Sequence, residues 1–385
     1  MFTPPRPPCQ APSAENSPSP TRTEGGTAMA ELPSSDDRFR VPVIDVSHWA
    51  TSSAAERTAL ATAVDEAART VGFLQITGHG IPDRVADDLA TAMDTFFSLP
   101  PEEKRALCAP PDVNRGYTPP KAEKLSLSLG VSSPEDLFEA FNVGVDGTAH
   151  PSSALPTAYF PANRWPAPHL APGFREAVES WFAHAGGLAR LLTRIFAHAL
   201  GLDEDFFRPC TDRSVDVLRM NNYALPDGET HVERDRMGMG AHTDYGIVTV
   251  LWADRVPGLQ ILGPEGRWHD VLPEEGALLV NLGDALARWT NDRWRSTLHR
   301  VLPPTDADGR LIRRRSAAYF HDGNHDAVIS PLPGCVPRNA EPLYPPITIG
   351  EHISAKLAGS RALRPNEDAT RESARLLTAT DTADR

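Results

Sequence analysis

The chain has 385 residues, enough for one large domain or two modest ones, and its 40% hydrophobic and 23% charged composition is that of an ordinary globular protein. A formal net charge of −13 disfavours nucleic acid as a partner, and no apolar run approaches the length of a membrane span. The opening MFTPPRPPCQ has no apolar core and is no secretory signal, and Cys9, Cys108, Cys210 and Cys335 form no C-x-x-C pair, so the expectation is a cytoplasmic protein with unpaired thiols and no membrane partner.

Residues 1 to about 38 are rich in Pro, Ser and Thr and are expected to be disordered, with Met29 an alternative start. Ordered structure is predicted from the strand-like run Val41–Asp45. Residues 54–71 read as a helix, because Leu60, Val64, Ala67, Ala68 and Val71 recur at helical spacing. A buried strand over Gly72–Ile76 ends at Gly78-His79-Gly80, and a second helix follows with Val85, Leu89, Met93, Phe96 and Phe97 on one face. A long helix is predicted over 173–200, with Trp181, Ala185, Leu188, Leu192 and Ile195 as its stripe. Beyond about residue 214 the period changes. Short runs rich in Val, Leu, Ile and aromatics (Val215–Tyr223, Ile247–Trp252, Leu259–Leu262, Ala277–Asn281, Ser316–His321) are separated by Gly, Pro and Asp turns. Helices first and short strands later predict a mainly β fold with α, a β-sandwich or jelly roll on a helical support. The tail from about Arg361 reads as a frayed helix or a lid.

The segment Gly240-Ala241-His242-Thr243-Asp244-Tyr245-Gly246 carries the chemical argument. On an extended chain, residues i and i+2 face the same side, so His242 and Asp244 can offer an imidazole and a carboxylate to one point. The best third ligand is His299, in Ser296-Thr297-Leu298-His299-Arg300-Val301. Two histidines and one carboxylate with the opposite face open are the ligand set of non-haem Fe(II) oxygenases. The same set also describes hydrolytic zinc sites, although no H-E-x-x-H accompanies it here. On spacing alone, a surface or core hydrogen-bonded His–Asp pair without metal is the favoured reading. His231, His269, His321 and His325 are poorer ligand candidates, lying in polar stretches or at strand ends.

A second constellation follows. Alternation puts Arg314 and Ser316 on one face and Arg315 on the other, and a guanidinium beside a hydroxyl is a good carboxylate receptor. Asn221 and Tyr223 are likewise two apart and can add polar contacts from a neighbouring strand. The competing reading is that Arg313, Arg314 and Arg315 form a solvated basic run.

Collinear motifs then fix a resemblance. They are VPVIDV, VGFLQITGHGIP, FFSLPPEEK, RGYTPP, DLFEAFNVG and NRWP in the first half, and LRMNNY, GMGAHTDYG, GLQIL, NLGDALARWTN, RSTLHRV, RRRSAAYF and YPPITIGEH in the second. From Val41 to about Ser360 the chain resembles the isopenicillin N synthase-like family of Fe(II)- and 2-oxoglutarate-dependent oxygenases. The resemblance implies a double-stranded β-helix core (jelly roll, cupin-like) supported by N-terminal and long central helices. It places Fe(II) on His242, Asp244 and His299, and 2-oxoglutarate on Asn221, Tyr223, Arg314 and Ser316. It also implies O2 as oxidant, ascorbate as a reductant in vitro, and oxidation of a C–H bond by hydroxylation, desaturation or cyclisation with release of succinate and CO2. Two alternatives stay open: an isopenicillin N synthase-type oxidase that uses no 2-oxoglutarate, and an ethylene-forming enzyme.

The implied organisation is a tail over 1–38, an N-terminal non-haem dioxygenase region over 39–165, a jelly-roll core over 166–355 and a C-terminal tail or lid over 356–385. Tyr117, Phe138 (with the stretch to Phe141) and Phe320 are expected as substrate walls. No basic cluster is left over in the sequence for a strongly anionic substrate, so a small organic metabolite of a secondary pathway, bound by a monomer, is the expectation.

Overall fold

The computed structural model describes residues 39–131, 133–147, 155–224, 237–306 and 310–366, with Ala369, Arg371, Ala374 and Leu376 beyond them. The Pro-rich segment and His231 lie outside the described residues.

The first half runs β1 (Val43–Asp45), α1 (Ala54–Thr70), β2 (Phe73–Thr77), α2 (Asp83–Phe97), α3 (Pro101–Arg105), β3 (Gly116–Thr118), β4 (Glu139–Gly144) and α4 (Phe174–Ala199). The second half runs β5 (Val217–Tyr223), β6 (Met239–His242), β7 (Val248–Ala253), β8 (Leu259–Leu262), β9 (Trp268–Asp270), β10 (Leu278–Leu282), α5 (Asp284–Trp289), β11 (His299–Val301), β12 (Arg314–His321) and α6 (Ile349–Ser360). Local chemistry sets the helix starts. Ser53 and Glu56 form a capping box before α1, and Thr348 and Glu351 repeat it before α6.

Two sheets face each other. The larger has the order β1-β2-β10-β7-β12-β5-β4-β3 and the smaller β6-β11-β8-β9. Apart from the parallel β1–β2 pair, the pairings within them are antiparallel. Strands of the first half thus extend the sheet of the second, which is one continuous layer. Helices α1, α2 and α4 cover its outer face, where Leu89, Met93, Phe96, Trp181, Leu188 and Leu192 are buried. Burial of this many large apolar side chains, at about 25 cal/mol per Å2 of apolar surface, is the main driving force for the layer. A smaller apolar cluster lies between the sheets, with Phe73 and Leu279 from one and Leu259, Ile261 and Val301 from the other. This two-sheet arrangement is the jelly roll on a helical support that the sequence predicted.

The periodic helices fall within a residue or so of their predicted bounds. The short strands β3 and β9 and the buried strand β4 carry no clean alternation and were not predicted as strands. One strand argument needs correction. β6 stops at His242, and Asp244 lies in the unpaired stretch leading to β7, so the two ligands do not share a strand. Helix α6 spans residues on both sides of the expected 355/356 boundary and packs on the 3-10 turn Leu125–Leu129. Gly359 permits that approach, because a Cβ there would stand 2.6 Å from the Leu127 carbonyl oxygen.

A candidate metal centre and its cavity

His242 and His299 are direct cross-strand partners on β6 and β11. Their rings lie 4.2 Å apart between centroids. Asp244 Oδ1 is 3.9 Å from His242 Nε2 and 3.7 Å from His299 Nε2. One ligand atom from each of the three buried side chains therefore lies within 4.8 Å of the others, a spacing that a single metal ion can bridge.

The surroundings fix which atoms point at that centre. His242 Nδ1 is 2.8 Å from the Gly240 carbonyl and His299 Nδ1 is 3.1 Å from the Thr297 carbonyl. A carbonyl only accepts, so each Nδ1 carries the proton and each Nε2 presents its lone pair. Burial, and the second imidazole after it, lower the His242 pKa to about 3, which keeps the ring neutral as a ligand must be. Asp244 Oδ2 accepts from Thr249 Oγ1 at 2.5 Å and from Asn281 Nδ2 at 2.6 Å, which leaves Oδ1 for the metal. The backbone is held as well. Asp284, at the start of α5, donates its N–H to the Asp244 carbonyl at 2.8 Å, and its carboxylate accepts from Thr243 Oγ1 at 3.0 Å. Lys356 of α6 pairs with that carboxylate at 2.8 Å, both side chains being 2% exposed.

The three residues lie in a cavity of roughly 1000 Å3, counted with its open mouth, between the two sheets and α6. Arg314, Ser316, Asn221 and Tyr223 line it together. Register explains the meeting: Arg314 pairs with Tyr223 and Ser316 with Asn221 across β12 and β5. Arg314 is 2% exposed; its Nε reaches the Val256 carbonyl at 3.3 Å, while Nη1 is buried without a hydrogen-bond partner. No carboxylate among the described residues pairs with it. A buried guanidinium with a free donor fits the carboxylate of an incoming ligand, which is the role expected for a dicarboxylic co-substrate. The neighbouring arginines behave as counter-ion partners: Arg315 pairs with Asp94 at 2.8 Å, and Arg313 with Asp94 at 2.6 Å.

Of the aromatic residues expected as substrate walls, only Phe320 lines the cavity. Tyr117 and Phe138 do not, which corrects that expectation. The Tyr117 hydroxyl donates to Glu139 at 2.5 Å within the helix-facing core, because β3 turns its ring away from the cavity. Phe138 is buried between Tyr223, at 6.1 Å between ring centroids, and the Arg219 guanidinium, 4.9 Å from its ring. His269 and His321 are held by Glu265 and Asp216, and His325 lies 4.9 Å from the Tyr159 ring, far from any shared centre. The sequence reading missed Thr249 and Asn281, which hold Asp244. It also missed Asn114, Glu123, Asn142, Arg219 and Arg361, which line the cavity farther from the metal. Strand alternation from Asn221 could have found Arg219, but nothing local marks the others.

Comparisons with known proteins agree with this geometry. Residues 41–168 match the family described as the N-terminal region of non-haem dioxygenase in morphine synthesis, and residues 215–323 match the 2OG-Fe(II) oxygenase superfamily. The chain is 36% identical to the 2-oxoglutarate-Fe(II) type oxidoreductase hxnY of Emericella nidulans over 81% of its own length and 88% of that protein. It is 32% identical to validamycin A dioxygenase of Streptomyces hygroscopicus subsp. limoneus, covering 82% and 85% of the two chains. Among solved structures, a full-length Neurospora crassa protein in complex with alpha-KG and thymine superposes with a TM-score of 0.73 at 28% identity, covering 84% of this chain and 98% of that one. Among the described residues no helix is long and apolar enough to cross a membrane. With this fold and these relatives, the chain belongs to the isopenicillin N synthase-like family of Fe(II)- and 2-oxoglutarate-dependent oxygenases.

Proposed function

We propose that His242, Asp244 and His299 hold Fe(II), and that Asn221, Tyr223, Arg314 and Ser316 receive 2-oxoglutarate, for oxidation of a C–H bond in a small organic metabolite of secondary metabolism. The observation that carries this reading is the pairing of a three-ligand cluster with a buried, carboxylate-free Arg314 in one cavity. When bound, the metal with 2-oxoglutarate and O2 supplies the oxidising chemistry, in which the keto acid gives succinate and CO2 as the substrate is oxidised.

The protein's own contribution is positional. Gly240 and Thr297 carbonyls fix both imidazoles, and Thr249 and Asn281 fix the carboxylate. Burial and the nearby Arg314 act on Tyr223 in opposite senses; burial wins and raises its pKa, so the hydroxyl stays protonated and can donate beside the Arg314 guanidinium. Apolar Phe73, Leu251, Leu259 and Val301 line the same end of the cavity and limit water there. A small substrate is supported by the thymine complex of the Neurospora crassa protein and by the relative named for validamycin A.

We further propose the division into an N-terminal region over 39–165 and a core from 166, with the C-terminal tail or lid, expected from 356, beginning only after α6 (Ile349–Ser360). The two family matches, which break between residues 168 and 215, support the first boundary. A cytoplasmic monomer without nucleic-acid or membrane partners completes the reading, of which the net charge of −13 supports the lack of a nucleic-acid partner. The test is a succinate assay with Fe(II), 2-oxoglutarate, ascorbate and a metabolite panel. Substrate-dependent succinate release is the expected result. Oxygen uptake without succinate would instead point to the isopenicillin N synthase type of oxidase.

A further inference from the structure

The cavity has a second charged end. Along β5, Val217, Arg219, Asn221 and Tyr223 all line it, and in register on β12 so do Phe320, Ala318, Ser316 and Arg314. At about 3.3 Å per residue, the step from Tyr223 to Arg219 carries this wall roughly 13 Å along the strand, away from the co-substrate arginine. There Arg219 Nη2 lies 2.7 Å from Glu123 Oε2. Arg361, the residue that ends α6, reaches in from the far side. Its Nη1 is 2.8 Å from Asn114 Oδ1 and 3.5 Å from Glu123 Oε1. The side chains of Arg219, Glu123 and Arg361 are 11%, 4% and 8% exposed. Two polar atoms at this end, Arg361 Nε and Asn142 Oδ1, are buried with no hydrogen-bond partner.

Charge does not balance at this end of the cavity. Two guanidiniums, Arg219 and Arg361, share the one carboxylate of Glu123 there. Burial pushes Glu123 up, but Arg219 and Arg361 outweigh it and hold its carboxyl below the ordinary value, so its single charge is shared between two cations. Two guanidiniums against one carboxylate leave one buried positive charge unmatched at this end. An unpaired buried charge is costly, and an incoming anion removes that cost.

We propose that this end anchors the substrate, and that the substrate is a small monoanion, an organic carboxylate, gripped by Arg361 and Arg219 with its hydrocarbon part along Phe320, Ile353 and Leu357. The inference rests on the oxygenase reading above and names the substrate class for that site. A phosphate monoester, carrying nearly two charges, would overshoot the single unmatched one. A neutral analogue would leave the guanidinium unpaired, which is how such a site discriminates.

The test uses the full-length protein with Fe(II) and 2-oxoglutarate in the absence of O2. A panel of aromatic and aliphatic monocarboxylates, each beside its primary amide, is titrated by calorimetry. At least one acid should bind on the order of 30-fold more tightly than its amide. R361Q should erase that preference and R361K should keep part of it, while both variants bind 2-oxoglutarate as the wild type does. If no acid in the panel is preferred over its amide, whether both bind alike or neither binds, the anchor is wrong; the wild-type titrations alone decide this, even if R361Q does not fold. A preference that survives in folded R361Q also overturns it. Failure of wild-type protein to bind 2-oxoglutarate would overturn the anchor together with the co-substrate assignment, and so is distinguishable from either result.

Discussion

The two ends of the cavity are built on different plans. At the metal end, the non-ligating atoms of all three ligands are tied down by neighbours: two carbonyls, a threonine and an asparagine at 2.5 to 3.1 Å. At the far end, two guanidiniums share one carboxylate and leave a donor and an acceptor unused. The first arrangement is satisfied before any organic ligand arrives and is suited to holding a metal in one geometry. The second is left unbalanced and suited to selecting what enters. Reaction type and specificity therefore reside in separate parts of one pocket, joined by the alternation of β5 and β12.

Substitutions should separate these parts. The largest effect is expected from Asp244→Ala, which removes one ligand of three. Turnover should fall by on the order of a thousandfold or more, read as succinate release, and wild-type rates would exclude the metal assignment. Next comes Lys356→Met, which strips the partner from buried Asp284 beneath the metal loop. Unfolding free energy should drop by about 3–5 kcal/mol near neutral pH. The sign with pH follows from the Asp284 shift: burial raises its pKa, but Lys356 and its other partners outweigh burial and depress it below 3.8. The pair therefore stabilises the fold above pH 3.8 and loses its contribution as pH falls below that value, so the gap between wild type and variant in chemical denaturation should narrow in acid.

Arg314→Ala should weaken 2-oxoglutarate binding by roughly 30-fold or more while Fe(II) still binds, because one buried charge-assisted contact is lost. Unchanged co-substrate affinity would place the carboxylate elsewhere. The smallest effect is expected from Asn281→Ala, which frees one lone pair of Asp244 Oδ2 but leaves Thr249 in place. Fe(II) affinity should fall by about tenfold, measured by anaerobic titration, with the fold intact. A loss as large as that of Asp244→Ala would mean that Asn281 does more than orient the carboxylate.

How far each part could be read in advance follows from the same contrast. His242 and Asp244 are two residues apart, and Arg314 and Ser316 share a strand face, so short-range spacing put these pairs forward, while the collinear motifs were needed to read them, with His299 added, as a metal and a carboxylate site. The helices were legible because Val85, Leu89, Met93, Phe96 and Phe97 repeat at the helical period and are all buried. The far wall was not, because Asn114, Glu123, Asn142, Arg219 and Arg361 come from five separate segments that only the tertiary fold brings together. Arginines at positions 219 and 361 do not form a cluster in sequence, so the cationic surplus escaped a reading based on charge runs. Tyr117 was misassigned for a related reason. An aromatic residue beside a cavity and one behind it have the same local pattern, and only the orientation of β3 tells them apart.

The central claim is that one cavity holds Fe(II) and 2-oxoglutarate at the same time, through His242, Asp244, His299 and Arg314. Anaerobic addition of 2-oxoglutarate to Fe(II)-loaded protein, followed by visible absorption, tests it most directly. A metal-to-ligand charge-transfer band should appear only when both are present, and should be absent in His242→Ala even at saturating 2-oxoglutarate. A wild-type protein that binds both components yet shows no such band, or an undiminished band in His242→Ala, would contradict the account.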